Sequence, residues 1–132
     1  MRMTRSNPDT VARPVGNYAQ AVRVETAEAT WIYVSGQVAL DLDGNLVGAG
    51  DLRAQTRQVY ENLQAILAAD GATFDDVVKA NTYLTTADDI AGMREERDGF
   101  LSEPPASTAV RISALVVPGA LIEVDLVAVI AT

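Results

Sequence analysis

Residues 121–131 read Leu121-Ile122-Glu123-Val124-Asp125-Leu126-Val127-Ala128-Val129-Ile130-Ala131. Side chains alternate across a strand, so Ile122, Val124, Leu126, Ala128 and Ile130 share one face. That face is wholly apolar and predicts packing against helices. The other face carries Leu121, Glu123, Asp125, Val127, Val129 and Ala131 and is also largely apolar. A strand of a two-layer domain that is apolar on both faces predicts cover from a second chain. A carboxylate in the middle of such a strand is costly to bury unless it is paired or used. Asp125 is therefore a candidate site residue. The alternative reading makes it the ion-pair partner of Arg94 or Arg97.

Upstream, Thr108–Val117 predicts a preceding strand, joined to the last by a turn at Pro118-Gly119. Val77–Leu84 predicts another strand. Between them, Asp88–Leu101 predicts a helix with Thr86 and Asp89 at its start, ended by Pro104-Pro105. A longer helix is predicted over Asp51–Asp70, where Leu52, Val59, Leu63, Ile66 and Leu67 recur at helical spacing and Gly71 is placed to end it. Tyr18–Glu25 and Trp31–Val38 are rich in aromatic and β-branched residues and predict two strands. Leu40–Val47 predicts a hairpin about Asp43-Gly44-Asn45. Residues 1–14 are polar, contain two prolines, and read as a loose arm or edge segment before a single domain of residues 15–132. The fold class is α+β, a mixed sheet with two helices on one face.

Composition narrows the chemistry. The 132 residues contain neither cysteine nor histidine, which excludes Ser-His and Cys-His catalysis, Cys/His zinc sites, iron–sulfur clusters and disulfides. Asp41 and Asp43 suggest a calcium loop only faintly, because the twelfth position is Leu52 rather than glutamate. Gly48-Ala49-Gly50 lacks the rest of a phosphate-loop motif and reads as helix entry. Ten basic against eighteen acidic residues leave a net charge of −8, and no run of basic residues exists to face phosphates. Neither nucleic acid nor membrane is an expected partner. The N-terminal residues have no apolar core of a signal peptide, and the expected location is the cytoplasm.

Several local motifs then line up in order. They are Val15-Gly16-Asn17-Tyr18-Ala19-Gln20-Ala21, Val34-Ser35-Gly36-Gln37-Val38, Gln55-Thr56-Arg57 with Asn62-Leu63, Val78-Lys79-Ala80-Asn81-Thr82-Tyr83-Leu84, Pro105-Ala106-Ser107-Thr108-Ala109-Val110, and Ile122-Glu123-Val124-Asp125. With these the chain resembles the Rid family, the reactive intermediate deaminases, also called YjgF-like or L-PSP endoribonuclease proteins. The resemblance implies a chorismate-mutase-like subunit, a homotrimer, and small-molecule clefts between subunits. It implies hydrolysis of small imines or enamines without cofactor or metal. By position it places Tyr18, Ser35, Gly36, Arg94, Ser107 and Ala109 in substrate binding and Asp125 as the catalytic carboxylate. Ser107 stands where the family carries a substrate-anchoring arginine, and a neutral serine cannot give a bidentate grip on a carboxylate. This departure predicts weakened hydrolysis of simple 2-imino acids. The alternative function is a non-catalytic ligand-binding or protein-protective trimer. Ribonuclease action, which the family's older label names, fits poorly with −8 charge and no histidine.

Overall fold

A computed structural model describes residues 1–132. The strands are β1 (Arg2–Ser6), β2 (Ala21–Glu25), β3 (Ala29–Gln37), β4 (Val77–Leu84), β5 (Ala106–Arg111) and β6 (Ile122–Ala131); the helices are α1 (Leu52–Ala69) and α2 (Ile90–Asp98). They form one six-stranded sheet in the order β1-β2-β3-β6-β4-β5. Only the β4–β5 pair is parallel, so the sheet is mixed. No helix is long and apolar enough to cross a membrane.

Helix α1 starts where the Asp51 carboxylate accepts from the Ala54 amide, which satisfies one of the donors a helix leaves free at its N-terminus. It ends before Gly71, whose φ of +78° favours glycine. Its predicted stripe is buried: Val59, Leu63, Ile66 and Leu67 are fully inaccessible. The stripe lies on Ile32, Val34, Ala80, Ile122, Val124, Leu126 and Ala128, the inward residues of the three central strands. Tyr60, Phe74 and Phe100 close one end of this core with ring centroids 5.6–5.8 Å apart. Helix α2 has little apolar surface and is also tied to α1 by Arg53–Glu95 and Arg57–Glu96 pairs, each 2.6 Å. Arg97 pairs with its neighbour Asp98 at 2.9 Å.

Of the two readings of the arm the edge segment holds, and three other local expectations change. Residues 2–6 of the arm form an edge strand on β2, because backbone hydrogen bonds to an open sheet edge need no apolar side chains. Leu40–Val47 is a turn with one isolated bridge, Leu40 to Leu46, in which the Asp41 carboxylate accepts the amides of Asp43 and Asn45. Only Gly44 there has positive φ. Strand β5 ends at Arg111, and β5 and β6 are not paired, since β4 lies between them. Finally, α2 begins at Ile90 with Asp89 as its cap, accepting from Gly92, whereas Thr86 accepts from Asp88.

The outward sheet face carries Trp31 opposite Val129 and Tyr33 opposite Val127. Trp31 and Tyr33 remain 40% and 48% exposed, so this face is apolar and open within the subunit. Truncating the inward face tests the core directly. Leu63→Ala is expected to lower unfolding free energy by about 2–5 kcal/mol in urea titration at fixed protein concentration.

Candidate functional site

The site begins with an irregularity in β3. Val34 pairs with Leu126, yet Gln37 pairs with Val124, so three steps on β3 match two on β6. The extra residue is a β-bulge at Ser35-Gly36, and a bulge re-aims the chain where it occurs. Gln37 is thereby turned into the interior, and Gly36 is brought against the β6 residue Glu123. A Cβ built on Gly36 would lie 2.7 Å from a Glu123 carboxylate oxygen. Any side chain there would push the Glu123 carboxyl aside.

Two buried glutamines hold the bulge and the preceding loop together. Gln37 Nε2 donates to Gln20 Oε1 at 2.6 Å and to the Ser35 carbonyl at 3.1 Å. Gln20 Nε2 in turn donates to the Ala12 carbonyl at 3.1 Å. Ser35 Oγ donates to the Ala19 carbonyl at 2.6 Å. From α1, Asn62 donates to the Leu40 carbonyl at 2.9 Å and fixes the chain leaving β3. Around this frame opens a cleft of about 300 Å³, with Tyr18, Ser35, Gly36, Gln37 and Glu123 among its lining residues. Such a volume suits a small metabolite. Tyr18 is exposed at its mouth, its hydroxyl accepting from the Val15 amide at 3.3 Å.

The carboxyl of Glu123 is half-buried. Burial, and secondarily the charge of Asp125, hold its pKa above the usual glutamate value. Asp125 sits two residues along the same strand face, outside the cleft, where its Oδ1 accepts from Asn81 Nδ2 at 2.9 Å. Its charge, followed by burial, raises the nearby Tyr83 phenol, which stays protonated. The alternative pairing of Asp125 with Arg94 or Arg97 does not occur, because α2 packs on the opposite side of the sheet.

Of the residues predicted for the site, Tyr18, Ser35 and Gly36 share the cleft. Asp125 lies on the neighbouring stretch of β6, and Glu123 occupies the cleft instead. Ser107 faces a separate groove beside Arg97, between β5 and α2. Ala109 is exposed on β5 and Arg94 is exposed on α2, neither lining the cleft. Glu123 was overlooked because alternation alone puts Glu123 and Asp125 on one face. The usable signal was Gly36: a glycine inside a strand pattern marks a bulge or a close approach.

The model of the family described as Endoribonuclease L-PSP matches residues 9–130. The chain belongs to the endoribonuclease L-PSP family. Among relatives, protein DfrA of Myxococcus xanthus is 38% identical over 131 residues, covering 97% of this chain and 98% of that protein. A 2-iminobutanoate/2-iminopropanoate deaminase of Dermatophagoides farinae is 30% identical over 119 residues, covering 89% of each chain. The crystal structure of RidA from an Antarctic Psychrobacter species superposes with a TM-score of 0.85 at 36% identity, covering 96% of this chain and 99% of that one. The chorismate-mutase-like α+β architecture is thus that of the family.

Gly36→Ala isolates the bulge from the core. The added methyl meets the movable end of Glu123 rather than backbone, so the stability cost is expected to stay below ~1 kcal/mol. The carboxyl is displaced, and ligand affinity or turnover at the cleft is expected to fall at least tenfold. Unchanged activity with a large loss of melting temperature would contradict this placement.

Proposed function

We propose that the protein is a cofactor-independent hydrolase of a small imine or enamine, acting as a homotrimer. The observation that carries this reading is the Glu123 carboxyl, half-buried in a small cleft and with its pKa raised. A carboxyl whose pKa lies closer to neutrality both accepts and donates a proton more readily at working pH. Imine hydrolysis needs both events. Water oxygen bonds to the imine carbon and gives a proton to the Glu123 carboxylate. The resulting Glu123 acid then protonates the amine nitrogen. The carbinolamine hydroxyl then passes its proton, through Glu123, to that nitrogen; as the carbon–nitrogen bond breaks, the bonding pair leaves with ammonia and a carbonyl forms. The deaminase relative named above supports this reaction class.

The trimer is supported by the open apolar sheet face bearing Trp31 and Tyr33 and by family membership. Covering that face with other copies would remove the exposed aromatics from water. Sedimentation at micromolar concentration is expected to give about 42 kDa, three times the 14.0 kDa subunit. A 14 kDa species would overturn the assembly.

Two carboxamide variants test the chemistry. Glu123→Gln is expected to reduce turnover of 2-iminobutanoate, generated in a coupled assay, by ~10²–10⁴. Because the folded protein raises the pKa of Glu123, its ionised form is disfavoured by folding. That penalty is absent below the unfolded pKa and grows as pH rises through the folded one. Glu123→Gln should therefore raise the melting temperature modestly at pH 7 and not at pH 3. Asp125→Asn is expected to retain turnover. Removing the charge that raises Glu123 should move the acidic limb of the pH–rate profile to lower pH. Undiminished turnover in Glu123→Gln would overturn the hydrolase reading.

A further inference from the structure

We propose that Arg13, rather than any residue of β5, is the residue that binds the substrate carboxylate in the cleft. This rests on the hydrolase reading only for the word substrate; the binding itself is independent of turnover. Of the nine arginines, Arg2, Arg23, Arg53, Arg57 and Arg97 lie within 4 Å of a side-chain carboxylate. Arg5, Arg13, Arg94 and Arg111 have no such partner, and among these only Arg13 lines the cleft. Arg13 and Glu123 are the only charged residues in its wall. The guanidinium is exposed, makes no hydrogen bond within the subunit, and also borders the adjoining loop pocket of about 500 Å³.

The backbone holding Arg13 is not loose. Ala12 is buried among Val38, Leu40 and Ala120, and its carbonyl takes the Gln20 hydrogen bond that continues to Gln37 at the bulge. Pro14 restricts the other side. The same buried amide pair thus sets Gly36 beneath Glu123 and places Arg13 at the rim. The cleft wall thus offers both a five-donor cation and a half-buried carboxyl. A small molecule with a carboxylate beside a carbon–nitrogen double bond matches both. In a chain of net charge −8, an anionic ligand is repelled at long range and needs a local cation to be held. Arg13 comes from the N-terminal segment, whereas Ser107 faces a different groove, so carboxylate recognition does not depend on an arginine in β5.

The test is equilibrium binding of 2-oxobutanoate and of its neutral amide, measured by calorimetry on the assembled protein. Wild type is expected to favour the carboxylate by about ten- to hundredfold, the scale of a charge-assisted pair. Arg13→Ala should abolish that preference while leaving affinity for the amide unchanged, and Arg13→Lys should retain part of it. Arg111→Ala, an unpaired arginine on β5, should keep the full preference. Melting temperatures beside wild type establish that the exposed substitution leaves the fold intact. Retention of the preference in Arg13→Ala, or equal binding of both probes by wild type, would overturn the assignment. Neither result touches the hydrolase reading, which Glu123→Gln decides through turnover.

Discussion

Strand β6 lies between β3 and β4, and its two-residue alternation is imposed on both neighbours. Ile122, Val124, Leu126 and Ala128 supply the floor on which α1 rests, and each is almost completely buried. The intervening residues must then face the other way. This places Val127 and Val129 beside Tyr33 and Trp31, and it places Glu123 and Asp125 on the same outward surface. A one-residue slip would exchange the two sets and put two carboxylates under α1. Core stability and site chemistry therefore share one register.

The bulge in β3 turns that regular register into a site. An unbroken strand would keep the side chains of residues 34–37 in simple alternation against β6. The extra residue at Ser35-Gly36 sends Gln37 inward and lets the backbone approach Glu123 closely. Gln37 then finds Gln20, and Gln20 finds the Ala12 carbonyl. Buried amides must be hydrogen-bonded, and here the requirement organises a loop far away in sequence. Tyr18, the Ser35-Gly36 pair and the Arg13 backbone are all positioned by this one polar chain.

The environment of the two carboxylates separates their properties. Asp125 has a direct amide donor in Asn81. Glu123 is half-buried beside Asp125, and both burial and repulsion favour its protonated form. Two acids a strand repeat apart thus sit in different surroundings, and only Glu123 lines the cleft. Tyr83, raised by both acids, remains a neutral neighbour.

Much of this was legible in the residues themselves. The helical stripe of α1, the apolar inward face of β6, the end of α1 at Gly71 and the α+β class follow from periodicity and capping, which are local properties. Tyr18, Ser35 and Gly36 were named by family resemblance rather than by periodicity, and they line one cleft. Strand order was not legible: Thr108–Arg111 and β6 are close in sequence, yet β4 separates them, since pairing depends on long-range registry. Nor could alternation choose between Glu123 and Asp125, which share a face; only the bulge opposite determines which one meets the cleft. Arg13 had no periodicity to mark it, lying in a polar segment, and its position at the rim is set by the buried Gln20–Gln37 pair. The sequence by itself determined which faces are apolar, because that is written in residue type and spacing. Only the tertiary structure decided which polar groups meet, because that depends on contacts between segments far apart in the chain.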